Sequence, residues 1–410
     1  MQTHLADSIR DTPQGQEADS ILRKCVHCGF CLATCPTYSL LGDELDSPRG
    51  RIYLIKQMLE GAPVTQKTQR HLDRCLTCRA CETTCPSGVQ YGRLLDIGRE
   101  VVDKSVGRGV FEGIKRSALR WGLLSPVFFS TVLACARAGK FLLPQVLARK
   151  IPRQRPAGVW PRAQHARTML LLDGCVQPVL VPNINAAAAR VLDRVGISLI
   201  KADQAGCCGA ISQHLGAPGD AVQHMKRNID VWSPYLESGA EAIVITASGC
   251  GTQVQEYGHY LRNDPAYAGK AARVSALARD VSQVVAGEQE RLRALFKQLP
   301  AAPLPRIAFH APCSLQHGLK ISGVVESILA DAGFQLTAVP DSHLCCGSAG
   351  TYSLLQPELS RQLLSNKVTA LESDRPDAIA TANIGCLTHI DTAATRQVRH
   401  WIEILDERLR

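Results

Sequence analysis

Eight of the 17 cysteines lie in two short runs near the N-terminus, and their spacing suits a polynuclear metal cluster. The run CVHCGFCLATCP returns fifty positions later as CLTCRACETTCP. In each run three closely spaced thiolates can surround one cubane of four irons, and the fourth, before a proline, can reach a second cubane. We therefore predict one 4Fe-4S cluster on Cys25, Cys28, Cys31 and Cys85, and another on Cys75, Cys78, Cys81 and Cys35.

Structural zinc is the alternative for these two runs, because zinc also takes four thiolates. Zinc modules usually present separated pairs of cysteines, whereas this chain presents triplets with an exchanged fourth ligand. The spacing favours iron-sulfur clusters.

Eight further cysteines form two repeated sets that start beyond residue 167. The first set, Cys175, Cys207, Cys208 and Cys250, recurs as Cys313, Cys345, Cys346 and Cys386. Adjacent cysteines chelate a single tetrahedral ion poorly, and the glycine after each pair permits a tight backbone path, so a cluster suits them better. We predict two metal sites, at least one of them an iron-sulfur cluster. Zinc and metal-free buried thiols are the alternatives.

The elements around these eight cysteines predict where the thiols meet. A strand-like run precedes each cysteine group, TMLLLDGC, ISLIKADQAGCCG and AIVITASGC in the first set and RIAFHAPC, FQLTAVPDSHLCCG and AIATANIGC in the second. Helical segments at Asn185 to Gly196 and Val324 to Gly333 join the first two runs of each set, as in a right-handed βαβ crossover. Because the carboxyl ends of parallel strands meet at one edge of a sheet, we expect the thiols of each set to converge.

The first region lacks strand-like alternation, and the segment from Arg49 to Gly61 between its two runs has helical apolar spacing. We therefore predict an α+β multidomain protein, with a mostly helical two-cluster ferredoxin-type domain followed by two repeated α/β Cys-Cys-Gly domains with parallel strands. The predicted bounds are 1–100 for the first domain, 101–166 for a basic amphipathic connector, and 167–300 and 301–410 for the repeated domains.

The composition is that of a globular protein, with 45% hydrophobic and 20% charged residues in a chain of 410. Its polar start lacks a charged-then-apolar leader, so we expect a cytoplasmic protein whose thiols serve metals rather than disulfides. The net charge of +9 is local, because residues 101–170 hold 13 Lys or Arg against two acidic residues. Without a basic stripe carrying aromatics or a docking motif, we expect no nucleic-acid partner.

An uncharged segment, Trp121 to Ala136, lies inside this basic region. Its sixteen residues, interrupted by Pro126, fall short of the roughly 20 that cross a bilayer. Because basic residues flank it, we expect an interfacial helix on anionic lipid, peripheral on the cytoplasmic face of the inner membrane. Docking on a partner subunit is the alternative.

The Cys-Cys-Gly pattern resembles that of the heterodisulfide reductase family, which is shared with iron-sulfur subunits of anaerobic glycerol-3-phosphate, lactate and glycolate dehydrogenases. Longer stretches, including EADSILRKCVHCGFCLATCPTY and HLCCGSAGTYSLLQPELSRQLLSNK, resemble more narrowly the iron-sulfur subunits of bacterial glycolate oxidase. The resemblance extends over nearly the whole chain. It implies an electron-transfer subunit without catalytic residues, with FAD on partner subunits only, that passes electrons toward quinone or another membrane acceptor.

The motifs that the sequence lacks agree with this division of labour. It has no dinucleotide-binding glycine loop, Walker loop or His-Glu-x-x-His. Clusters accept single electrons, whereas oxidising an alcohol to a carbonyl needs a two-electron acceptor such as flavin. We expect the isolated chain not to oxidise glycolate. The alternatives are a self-contained Cys-Cys-Gly disulfide reductase and the iron-sulfur subunit of a related lactate or glycerol-3-phosphate dehydrogenase.

One departure from the family pattern concerns a fifth thiolate. The family often closes the domain with Cys-x-x-Cys. In this chain the second cysteine is replaced by Gln253, three residues after Cys250, and by His389, three residues after Cys386. That difference argues against five-thiolate non-cubane clusters and against disulfide reduction. His389 could replace a thiolate, although a structural helix histidine is the interpretation that we favour.

Overall fold

Short helices around the two cysteine runs form the N-terminal domain in a computed structural model that describes residues 1–142, 151, 155–300 and 303–410. The predicted helix between the runs is confirmed as Pro48–Leu59, which begins after Ser47, whose side chain accepts a hydrogen bond from the Gly50 N–H. The other helices are Asp7–Arg10, Pro13–Lys24, Pro36–Leu41, Gln66–Asp73, Ala80–Thr84 and Tyr91–Val106, with a 3-10 turn at Glu44–Asp46. The last helix runs across the predicted boundary at residue 100.

Both cysteine runs pass through left-handed backbone at the same positions. His27 and Thr77, two residues after the first cysteine of each run, both have φ of 56°. Gly29 and Arg79, two residues further on, have φ of 86° and 60°. A non-glycine residue in this conformation costs on the order of 1–3 kcal/mol. The conformation directs backbone N–H groups inward, as in the concave anion-binding backbone of many iron-sulfur sites, and the Thr77 N–H lies 3.4 Å from Cys75 Sγ.

The first Cys-Cys-Gly half contains a parallel sheet of four strands, β1 (Arg167–Leu171), β2 (Ile197–Lys201), β3 (Ile243–Ile245) and β4 (Ala278–Asp280), in the order β2-β1-β3-β4. The three strands that the sequence predicts before the cysteine groups are confirmed, and β4 is additional. The helices are Gln177–Leu180, Asn183–Arg194, Ala210–His214, Pro218–Glu237, Ser248–Gln255, Tyr257–Tyr260, Ala268–Leu277, Val281–Gly287 and Gln289–Phe296.

The second half contains a parallel sheet of three strands, β5 (Ile307–His310), β6 (Ala378–Thr381) and β7 (Gln397–His400), in that order. Its helical segments are Val324–Asp331, Tyr352–Leu355, Pro357–Glu372, Ile384–Ile390 and Trp401–Arg408, with a π-helical turn at Ser314–Gly318. Strand β7 was not predicted.

The prediction of a strand before the second Cys-Cys pair, Cys345 and Cys346, is wrong. Only Leu336 pairs there, as an isolated parallel bridge to Ile307. The extended run ends at Pro340, which has no N–H to donate to a ladder, and at Asp341, whose φ is 47°. Parallel topology therefore holds in both halves, but a loop delivers this pair of cysteines.

The connector is a bent pair of helices, Val110–Leu124 and Pro126–Ala138, followed by a 3-10 turn at Lys140–Leu142. The single helix expected over Trp121 to Ala136 is wrong, because Pro126 begins a new helix and the two axes meet at 92°. In the described part of the chain, no single helix is long and apolar enough to cross a membrane, although this bent pair meets the criteria of length and composition together. Part of the connector, 143–150 and 152–154, lies outside the described residues.

Two basic residues that we expected to face lipid form internal ion pairs. Arg116 is 7% exposed and pairs with Asp73 and Glu112. Arg120 pairs with Asp220 of the first half at 3.3 Å. The connector's charge therefore helps to hold it against the rest of the chain, while Phe111 and Val127 on the same helices are 90% and 80% exposed.

One hydrophobic core is shared by the two halves, since it includes Leu171 and Val244 of the first sheet and Ile379 and Val398 of the second. Polar contacts also join the halves beside the cysteines. Ser248 Oγ lies 2.7 Å from Ser314 Oγ, and these residues are close in sequence to Cys250 and Cys313. The two thiol-bearing edges therefore belong to one packed unit.

Candidate metal centres

The thiols of the N-terminal domain lie in two groups. Cys25 interacts electrostatically with Cys85 and Cys28. Burial raises the pKa of the Cys31 thiol to about 11, and the neighbouring Cys25 and Cys28 add to the rise. One cavity is lined by all four of these residues and also by Cys81. The last cysteine of the second run thus lies with the first three of the first run.

The second group is more deeply enclosed. Burial raises the pKa of the Cys81 thiol well above its usual value, and the neighbours that add to the rise include Cys78, Cys75 and Cys35. The last cysteine of the first run thus lies with the second run. Ionised thiols this close together need a nearby cation, and a coordinated thiol is deprotonated outright. The residues therefore fit two metal clusters.

A buried ion network supports the second group. Asp46 is fully buried and pairs with Arg51 at 3.2 Å and with Arg74 at 2.8 Å. Arg51 is 1% exposed, and its Nη1 donates to Thr37 Oγ1 at 3.1 Å. Thr37 Oγ1 in turn lies 3.3 Å from Cys35 Sγ. This network places a permanent positive charge beside thiols that carry negative charge when they bind metal, and sequence reasoning missed it.

The four thiols of the first Cys-Cys-Gly half converge into a chain of hydrogen bonds. Cys175 and Cys208 both donate to Cys207, whose sulfur also faces the Gly209 N–H at 3.3 Å. These donors hold the pKa of the Cys207 thiol well below its usual value. Cys208 also shares a hydrogen bond with Cys250. The convergence expected from the strand ends is therefore present.

The thiols of the second half are joined by hydrogen bonds in the same order. Cys313 donates to Cys345 at 3.8 Å, and this bond together with burial raises the Cys313 pKa well above its usual value. Cys346 hydrogen-bonds with Cys345 and with Cys386. The Gly347 N–H donates to Cys345 Sγ at 3.4 Å, and the Gly209 N–H donates to Cys207 Sγ at 3.3 Å in the first half.

The residues around the two groups of hydrogen-bonded thiols differ. In the first half the buried Asn228 donates to the Cys207 carbonyl at 2.9 Å. In the second half the corresponding helix supplies Lys367, which is 3% exposed and interacts with Cys346 and Cys345. The second pocket also contains His310, with its donor atoms and those of Cys346 and Cys386 all within 4.8 Å.

His389, the histidine that the sequence analysis considered as a ligand, is occupied elsewhere. Its Nε2 lies 3.1 Å from Ser360 Oγ, so the structure favours the helix-histidine interpretation. His310 was missed because a histidine at the end of an apolar strand resembles a core residue. Comparison of the repeats offers a signal, since the offset of 138 that relates Cys175 to Cys313 places Leu172 opposite His310.

The second ferredoxin-type group and the second Cys-Cys-Gly group are neighbours. After burial, the largest cause of the raised Cys78 pKa is Cys313. Leu76 and Cys345 pack in one hydrophobic cluster, with Cys78 and Cys313 against it. The Tyr352 hydroxyl closes this contact by donating to the Arg74 carbonyl at 3.0 Å.

Two domain families match the chain at these sites. The 4Fe-4S dicluster domain matches residues 21–89, and the cysteine-rich domain matches residues 169–255 and 307–391. Fold and site together define an iron-sulfur protein with a dicluster domain and a duplicated cysteine-rich domain.

Similar proteins show to which family of iron-sulfur proteins the chain belongs. The chain is 54% identical over 410 residues to the glycolate oxidase iron-sulfur subunit of Escherichia coli (strain K12), across 100% of this chain and 99% of that protein. It is 28% identical over 405 residues to the probable glycolate oxidase iron-sulfur subunit of Bacillus subtilis (strain 168), across 92% and 90%. Lactate utilization protein A of Bacillus velezensis is 27% identical over 243 residues, 57% of this chain and 97% of that protein. The chain belongs to the family of glycolate oxidase iron-sulfur subunits.

The buried network predicts a sharp difference between two aspartates. Asp46→Ala leaves the buried Arg51 without its carboxylate partner, which costs about 3–5 kcal/mol. Asp43→Ala, three residues away, alters an exposed carboxylate that lies near Asp46 but pairs with no cation among the described residues, so it mainly removes a cap on the Leu45 N–H and should cost about 1 kcal/mol. The thermal unfolding midpoint of the anaerobic protein should fall much further for Asp46→Ala. Equal shifts for the two variants would contradict the role assigned to the network.

Proposed function

We propose that this chain is the electron-transfer subunit of a flavin-dependent complex that oxidises glycolate to glyoxylate and delivers the electrons toward the quinone pool. The oxidation releases two electrons and two protons, and FAD on partner subunits takes the electron pair because clusters carry electrons singly. The full-length similarity to a glycolate oxidase iron-sulfur subunit supports the substrate. The lactate alternative has weaker support, because that relative covers 57% of this chain.

The observation that carries the electron-transfer role is the proximity of Cys78 and Cys313, which interact electrostatically and pack against one hydrophobic cluster. It joins the ferredoxin-type domain to the second Cys-Cys-Gly domain through packed side chains. We assign one 4Fe-4S cluster to the group around Cys28 and the other to the group around Cys78. The second cluster then lies next to the centre of the second Cys-Cys-Gly domain.

The first cluster is the proposed entry point for electrons. Cys28 is exposed, and the adjacent Val26 and Phe30 are 68% and 61% exposed. An apolar surface beside a cluster ligand suits docking of a flavin-containing subunit, which brings the flavin close to the first cluster. Electrons would then pass inward to the second cluster and on to the second Cys-Cys-Gly domain.

The division of labour is tested with the full chain purified without oxygen. The chain alone should not oxidise glycolate with an artificial acceptor, and activity should appear when the flavin-containing subunits are added. With Cys78→Ser, glycolate should still reduce the flavin, but transfer to the acceptor should fall at least tenfold. Cys135→Ser, which alters an exposed cysteine of the connector, is the matched control and should transfer normally. Turnover by the flavin-free chain would refute the proposal.

The crossed ligation is tested by asking which variants lose the same cluster. Cys85→Ser should remove the electron paramagnetic resonance signal that Cys28→Ser removes, while Cys35→Ser should remove the one that Cys78→Ser removes. Each variant should lose about four irons by this assignment. If Cys35→Ser instead matches Cys28→Ser, each run holds its own cluster. Stoichiometric zinc without iron in the native protein would exclude both arrangements.

We also propose that the connector attaches the complex to the cytoplasmic face of the inner membrane. Five apolar residues of its two helices are between 60% and 90% exposed: Val110, Phe111, Ile114, Trp121 and Val127. Lys115 is exposed among them. Burying such side chains at the headgroup boundary, with a cation near anionic lipid, is the chemistry of an interfacial helix.

Vesicle binding separates this proposal from docking on a partner subunit. The double variant Phe111→Ser, Val127→Ser should cosediment at least tenfold less with phosphatidylglycerol vesicles, because each buried methylene contributes about 0.8 kcal/mol. Leu354→Ser, at a half-exposed apolar residue of the second Cys-Cys-Gly domain, should bind like the native chain. Unchanged vesicle binding together with weaker assembly with the flavin-containing subunits would assign the surface to a partner.

A further inference from the structure

A buried histidine in the second Cys-Cys-Gly pocket has no visible structural purpose. His310 is 1% exposed, and among the described residues neither ring nitrogen has a hydrogen-bond partner. A buried polar group without a partner costs about 1–3 kcal/mol, and in a native protein such a group needs an explanation. The explanation has to be found in what the ring faces.

The ring faces thiols. Donor atoms of His310, Cys346 and Cys386 all lie within 4.8 Å of one another, and all three residues are buried. Two ligands of one tetrahedral metal ion lie about 3.5–4 Å apart, given metal–sulfur bonds of about 2.3 Å and metal–nitrogen bonds of about 2.0 Å. Small side-chain shifts would therefore bring the three donors onto one metal atom. Neutral imidazole and thiolate are both ligands that iron and zinc accept.

The same position in the first half is apolar. Leu172 replaces His310, while the four thiols of that half keep the same hydrogen-bonded order. The histidine is therefore a feature of one copy of the repeat, as is the nearby Lys367. The second half differs from the first in the chemistry of its pocket and not in its count of cysteines.

We propose that His310 is a nitrogen ligand of the metal centre in the second Cys-Cys-Gly domain. That centre is a mixed thiolate–imidazole site, and the centre of the first half has sulfur ligands from the protein only. This proposal rests on the proposed function, because it requires that the pocket of the second Cys-Cys-Gly domain holds a metal. The imidazole ligand is neutral and the buried Lys367 beside the thiols is cationic, so the pocket of the second half is the less negative one and would accept electrons more readily than the first.

The test uses the full chain, prepared without oxygen and labelled with ¹⁵N-histidine. Electron–nuclear double resonance should detect a strong ¹⁵N coupling to a reduced centre, and His310→Leu should abolish it together with most of the metal of that centre. His389→Leu is the matched control and should keep both. If His310 were only a core residue, His310→Leu would remove two unpaired nitrogens and leave metal content and coupling unchanged, which would overturn the proposal.

A second variant covers failure of the first to fold. His310→Cys offers a thiolate in place of the imidazole, so it should retain the metal and lose the ¹⁵N coupling. Retained coupling in His310→Cys would overturn the assignment. If the centre is diamagnetic zinc, X-ray absorption replaces the resonance experiment, and loss of a metal-bound nitrogen in His310→Leu would support ligation by His310. Zinc at this centre would contradict electron transfer through it, so the two proposals can fail separately.

Discussion

The close approach of buried thiols is the interaction on which the rest of this structure depends. Sixteen of the 17 cysteines lie in four groups of four, and thiols such as Cys31, Cys78 and Cys313 have pKa values raised by burial and by one another. Without positive charge nearby, thiols with such raised pKa values would stay protonated, because ionised sulfurs would lose hydration and repel one another. The costly features of the fold are found beside them: left-handed residues in both runs, buried Arg51 in one domain and buried Lys367 in the other.

The sequence predicted the parts of the fold that the cysteines mark. A cysteine group at the end of each strand-like run indicates where the strand stops and which sheet edge it reaches, so parallel halves and converging thiols could be expected. Strands β4 and β7 have no cysteine and were missed. Each leads directly into a helix with a capping box, Asp280 with Gln283 and His400 with Glu403, and that local signal could have found them.

Other features could not be read from the sequence, because they depend on packing between distant segments. The strand before Cys345 is shortened to one bridge by Pro340 and Asp341, a local effect that outweighed the repeat. Arg51 resembles an exposed helix residue in sequence, but the fold buries it against Asp46 and close to the Cys35 thiol. Lys367 and His310 likewise gain their importance only when their elements enclose the second thiol group.

Polar contacts between the domains hold the ferredoxin-type thiols beside the Cys-Cys-Gly thiols. Arg79 and Arg93 both bind Glu256, which is 17% exposed, at 3.0 and 2.9 Å, and this holds the ferredoxin-type domain against the first half. Tyr352 holds the same domain against the second half. These contacts hold the thiol groups around Cys78 and Cys313 next to each other. This proximity suits transfer of electrons, which needs cofactors held close together, whereas a binding site that opens and closes would need a looser interface.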